Sequence, residues 1–92
     1  MFLHDLVRNQ AEKHPDHIAV TYKNLHTPYG QLESESNRLA VLLRRSGVEA
    51  GDRIGLLMER SPEMIVAILG ISKVGGISVP LDSVRSARKL NR

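Results

Sequence analysis

A chain of 92 residues holds one small domain at most, and such a domain buries only about two thirds of its unfolded surface. An apolar fraction of 41% and a charged fraction of 25% exclude disorder, and the absence of cysteine excludes both a disulfide framework and a thiolate metal site. The net charge of +3 belongs to the end of the chain, because Arg85, Arg88, Lys89 and Arg92 leave nine basic and ten acidic residues elsewhere.

The opening MFLHDLVRNQAEKHP is not a signal peptide, since Asp5 and Arg8 interrupt any apolar run. Leu3, Leu6, Val7 and Ala11 follow helical spacing, and Pro15 stops that helix near His14. Ile18, Val20 and Tyr22 then alternate as in a half-buried strand, and the polar KNLH reads as a turn that closes a hairpin with a short second strand. Thr27-Pro28 predicts a helix start, with the threonine hydroxyl as cap and proline at the first helical position. Tyr29, Leu32, Ser36, Leu39, Ala40 and Leu43 form one face of that helix, while Arg38, Arg44 and Arg45 lie mainly on other faces. Gly47 fits the left-handed residue that follows it. Val48 to Asp52 is a turn.

RIGLLM, residues 53–58, reads as an apolar strand covered on both faces. Ser61-Pro62 again caps a helix, expected over about 62 to 74, whose PEMIVAILGISKV is apolar on nearly all sides. Gly75-Gly76 ends it and ISVPL follows as a strand. Strand, helix and strand within residues 53–81 require a parallel pair with a right-handed crossover. The fold class is therefore α/β, an incomplete subdomain with one βαβ unit, parallel strands and about three helices. Apolar residues at 64 to 69, 71 and 74 cannot all be hidden against one sheet face, so an exposed apolar surface on this helix is the expectation. The longest run without charge, Met64 to Ser72, is far short of the roughly 20 residues of a membrane span.

These segments resemble the adenylation domains of nonribosomal peptide synthetases, in the adenylate-forming (AMP-binding) ligase superfamily. FLHDLVRNQAEKHPDHIAV is similar to that family's opening segment. TPYGQLESESNRLA resembles its Thr-Tyr-x-Glu-Leu helix with Asn-Arg-Leu-Ala, and GVEAGDR its Gly-Val-x-x-Gly-Asp-Arg turn. ERSPE follows in the family's order, and ISKVGGISVPLD resembles its Leu-Lys-Ala-Gly-x-Ala-Tyr-Val-Pro-Leu-Asp motif. Departures are Pro28 and Gln31 in the first helix motif. After Asp82, Ser83 and Ser86 stand where the family has proline, and Lys89 where it has arginine.

The resemblance implies that residues 1–82 form the N-terminal fragment of an adenylation domain, truncated before its chemistry, with 83–92 a divergent basic tail. The parent activity would use ATP and magnesium to convert an amino acid to an aminoacyl adenylate. No phosphate loop occurs here, and GISKVGG at 70–76 reads as a helix ending, so no catalytic, cofactor-binding or metal-binding residue is assigned. A small binding module that docks a partner, such as the rest of a split ligase, or that self-associates, is the alternative reading. Four tail charges without interleaved aromatics point to a solvated end rather than a nucleic-acid site. A reducing, cytoplasmic setting and no membrane partner are expected.

Other polar candidates have plainer roles. His4, His14, His17 and His26 are spaced 10, 3 and 9 apart and fall on different elements, so convergence on a metal is not expected. Glu59, Arg60 and Glu63 read as a loop ion pair and a helix N-terminal acid. Glu33 and Glu35 diverge on a helix. Ser34, Ser36 and Ser61 lack a base. Met58 and Met64 are core.

Overall fold

The computed structural model describes residues 2–57 and 61–81. Their order is α1 (Leu3–Lys13), β1 (Ile18–Tyr22), β2 (Leu25–Pro28), α2 (Tyr29–Arg45), β3 (Arg53–Leu56), α3 (Pro62–Lys73) and β4 (Ile77–Pro80). Strands β1 and β2 form an antiparallel hairpin, and β3 and β4 form a separate parallel pair with Arg53 opposite Ile77 and Leu56 opposite Pro80. The expected βαβ unit is present, and α3 is its crossover. Met58, the expected ion pair of Glu59 and Arg60, and the basic tail lie outside the described residues.

Two helix starts were expected to use the same Ser/Thr-Pro device, and only one does. At α3 the Ser61 hydroxyl accepts from the Met64 amide at 3.3 Å, and Pro62 opens the helix. At α2 the cap position falls on Pro28, and Thr27 is instead buried in β2 opposite Val20. The α2 amides find backbone acceptors: Tyr29 donates to the His17 carbonyl at 2.9 Å and Gly30 to that of Pro15 at 3.0 Å. The loop after α1 thus caps α2, and Thr27 remains free to complete the hairpin ladder. That loop sits so close that a Cβ on Gly30 would lie 3.2 Å from both the Cβ and the carbonyl oxygen of Pro15.

Helix exits follow the glycine expectation. Gly47 at φ +92° lets the Val48 amide reach back to the Leu43 carbonyl, and Gly75 at φ +77° does the same for Gly76 and Ile71. The turn into β3 is tied to the turn into β4. The Gly51 amide donates to the Gly75 carbonyl at 2.8 Å, and Ile77 to Asp52 at 2.8 Å. These bonds align the two strands before the ladder begins.

The core has two clusters that meet on α3. Val7, Leu32 and Leu69 form one, joined by Ala19, Val20, Tyr29, Ile65 and Val66. Leu56, Ala67 and Ile71 form the other, joined by Leu39, Leu43, Ile54 and Ile68. Helix α3 is therefore covered from three sides: by α2, by β3–β4, and by α1 with the hairpin. The apolar surface expected to stay open on this helix is covered in part: Ala67, Leu69, Ile71 and Val74 are buried, while Met64, Ile65, Val66 and Ile68 are half-buried. Close approach of α2 makes that cover possible, because a Cβ on Gly70 would lie 2.8 Å from Leu39 Cδ2.

The expectation of a doubly covered β3 is also corrected. Ile54 and Leu56 face α3, but Arg53, Gly55 and Leu57 are exposed. Leu81 lies over Gly55, within 2.8 Å of where its Cβ would be. Leu57 (54% exposed), Ile77 (49%) and Leu81 (41%) make the outer side of the β3–β4 pair apolar and open. Among the described residues the sheet pair is thus more open than the helix.

Candidate functional site

The polar side chains weighed in the sequence do not converge. His4 sits on α1, its Nδ1 2.7 Å from Ser72 Oγ of α3. His14 and His17 stack at 4.4 Å across the Pro15 turn, and His26 contacts Thr21 Oγ1 at 3.1 Å within the hairpin. No group of three or more His, Asp or Glu side chains is placed to hold a metal among the described residues. Glu35 accepts from Gln31 one turn away, Glu63 lies in the first turn of α3, and Ser34 and Glu33 line a cleft between α1 and α2. Gly70 lies inside α3 and Gly75–Gly76 end it, so GISKVGG is a helix terminus in the structure as in the sequence.

Sequence reading missed the best-organised polar cluster. Lys73, the last residue of α3, reaches across to α2. Its ammonium pairs with the Glu33 carboxylate and donates to Ser36 Oγ and Asn37 Oδ1, each at 2.7 Å. Ser36 is fully buried and its hydroxyl donates a hydrogen bond to the Glu33 carbonyl at 3.1 Å. Arg44 closes the other end by donating to the Lys73 carbonyl at 3.3 Å. A serine at a core position of an apolar helix face is the one sequence signal, since a buried hydroxyl demands a partner. The partner itself, 37 residues further on, gives no local sign.

Chemically this cluster is a clamp. The Lys73 ammonium gathers Glu33, Ser36 and Asn37 of α2 onto the end of α3. What it fixes is the angle of α3 against α2, and through α3 the position of β3–β4. The arrangement defines the class of protein: an α/β subdomain in which two helices are locked together beside a parallel sheet pair.

Comparisons place that class in a family. The chain belongs to the AMP-binding enzyme family, whose sequence model matches residues 7–92. It is 42% identical over 88 residues to tyrocidine synthase 2 of Brevibacillus parabrevis, a match covering 96% of this chain and 2% of that protein. Gramicidin S synthase 2 of Brevibacillus brevis is 49% identical over 80 residues, covering 87% of this chain and 2% of the synthase. The fold matches the N-terminal subdomain of Klebsiella oxytoca NpsA, solved in complex with 3-hydroxybenzoyl-AMSN. That match has a TM-score of 0.86 at 26% identity over 97% of this chain and 23% of the other. The chain thus spans a small fraction of its relatives' length. No helix among its described residues is long and apolar enough to cross a membrane.

Proposed function

We propose that this chain serves as the opening wall of an amino-acid-activating adenylation domain of a nonribosomal peptide synthetase and carries no catalytic group itself. The observation that carries the reading is the outer face of β3–β4. A two-stranded parallel pair with Leu57, Ile77 and Leu81 exposed has no layer over that face among the described residues, and parallel sheets are stable when covered on both faces. The missing layer would come from the rest of such a domain. In the whole domain the amino-acid carboxylate would attack the α-phosphorus of ATP. An acyl–phosphate bond would form, the α–β anhydride would break, and pyrophosphate would leave. Magnesium would screen the phosphates in that reaction. No described carboxylate set fits it, so no step is assigned to residues of this chain.

The same face favours a second reading, a binding module that docks a partner polypeptide such as the remainder of a split ligase. Amino-acid-dependent ATP–pyrophosphate exchange separates the outcomes. Purified chain alone should give background exchange, and co-expression with a family domain lacking its own first segment should restore it. Exchange by the chain alone would refute the wall reading. Stable association without restored exchange would favour the docking module.

A further inference from the structure

The face of α2 opposite the core has a pattern that neither the clamp nor the sheet explains. Arg38, Val41, Leu42 and Arg45 fall at i, i+3, i+4 and i+7 and are all exposed. Val41 is 44% and Leu42 57% exposed, and the four residues line a shallow cavity of about 300 Å³. A larger cleft of about 540 Å³ shares Arg38 and Val41 with it and reaches toward α1, where Arg8, Ala11, Glu12 and Glu33 line it. Arg38, Arg44 and Arg45 have no carboxylate partner among the described residues, whereas Lys73 and Arg8 are paired to Glu33 and Asp5. Two aliphatic side chains thus sit between guanidinium groups that make no ion pair among the described residues.

We infer that this stripe is a docking surface for an acidic amphipathic helix of a partner protein. Such a helix would seat leucine or isoleucine between Val41 and Leu42 and place carboxylates on Arg38 and Arg45. Two turns of helix, about 11 Å, separate the arginines, and this matches acidic residues seven apart on the partner. Guanidinium groups favour carboxylates because the fork can donate two parallel bonds. A second copy of this chain fits poorly: a two-fold pairing of the stripe would set Arg38 against Arg45, like charge on like charge. Nucleic acid would satisfy the arginines but leave the aliphatic pair against a phosphate backbone. The inference is independent of the adenylation reading, because the stripe lies on the opposite side of α2 from α3 and the sheet.

The test is fluorescence anisotropy of a labelled helical peptide bearing glutamates seven residues apart with two leucines between them, titrated with the full chain at low salt. Saturable binding is expected, weakened at least about tenfold by Leu42→Ser and by the Arg38→Glu/Arg45→Glu pair. Far-UV circular dichroism should be unchanged, since these side chains are exposed. A lysine-for-glutamate peptide should ignore the native chain and bind the doubly reversed one. Leu57→Glu should leave peptide binding intact. Failure to saturate below about 1 mM, equal binding to the Leu42→Ser chain, or equal binding of the lysine peptide to the native chain would overturn the inference. So would tighter binding of duplex DNA that is indifferent to Leu42.

Discussion

Replacing Lys73 by methionine keeps the apolar stem of the side chain and deletes its ammonium. In the structure the Lys73 and Glu33 side chains are 11% and 17% exposed, so the carboxylate left behind is nearly out of solvent. Ser36 retains its bond to the Glu33 carbonyl, and exposed Asn37 can turn to water, so neither is stranded. The cost is therefore dominated by Glu33. Removing one partner of a fully buried pair costs roughly 3–5 kcal/mol, and the remaining solvent contact of Glu33 lowers this to about 2–3 kcal/mol, the range of a bond to a charged group. Urea unfolding followed by circular dichroism measures it. With a slope near 1 kcal/mol/M for a chain this short, the midpoint should fall by about 2–3 M. Changing Glu33 to leucine in the Lys73→Met background should recover part of the loss, because the stranded carboxylate goes with it. A shift under about 0.5 kcal/mol, typical of an exposed ion pair, would show that the clamp does not hold the helices.

Three further outcomes follow from the packing. Gly70→Ala should destabilise by about 1–3 kcal/mol, since its new methyl group meets Leu39 at 2.8 Å and α2 must back away; thermal unfolding detects this, and an unchanged melt would place the helices further apart. Ser61→Ala should cost about 1 kcal/mol through the lost Met64 bond, measured in the same way. Leu57→Glu should reduce self-association and hydrophobic-dye binding with little loss of fold, as analytical ultracentrifugation and dye fluorescence would report, whereas Leu69→Ser should unfold the chain. A native chain that is monomeric, dye-silent and sharply melting would remove the need for a covering layer.

The contrast between Leu57 and Leu69 marks where sequence reading was strong and where it failed. The βαβ order, the hairpin and the glycine helix exits were legible because each is a local pattern: alternation, capping residues, left-handed positions. The coverage of α3 was not, because periodicity shows that a helix is apolar all round without saying which elements reach it. Leu69 faces α1, α2 and the hairpin at once, a fact of tertiary assembly. Strand β3 misled in the opposite direction: its apolar run implied two covered faces, and among the described residues it has one. Thr27 failed for a third reason. Its local signal was real, but a loop carbonyl from before β1 answered the same need. The motif resemblance carried the family because ordered spacings over eighty residues are informative even where single contacts are not.

Capping of α2 by the carbonyls of Pro15 and His17 has a consequence for how this segment can change. Carbonyl oxygens belong to the backbone, so the side chains at 14, 16 and 17 are largely free to vary without loosening the helix start. Loop length is another matter. One residue inserted between Lys13 and Ile18 would carry both acceptors out of register with the Tyr29 and Gly30 amides, leaving two orphan donors. Position 30 is confined as well, because any side chain there must push the loop aside. The junction should tolerate exchange of side chains far better than a change of spacing, the reverse of a helix start that depends on one hydroxyl.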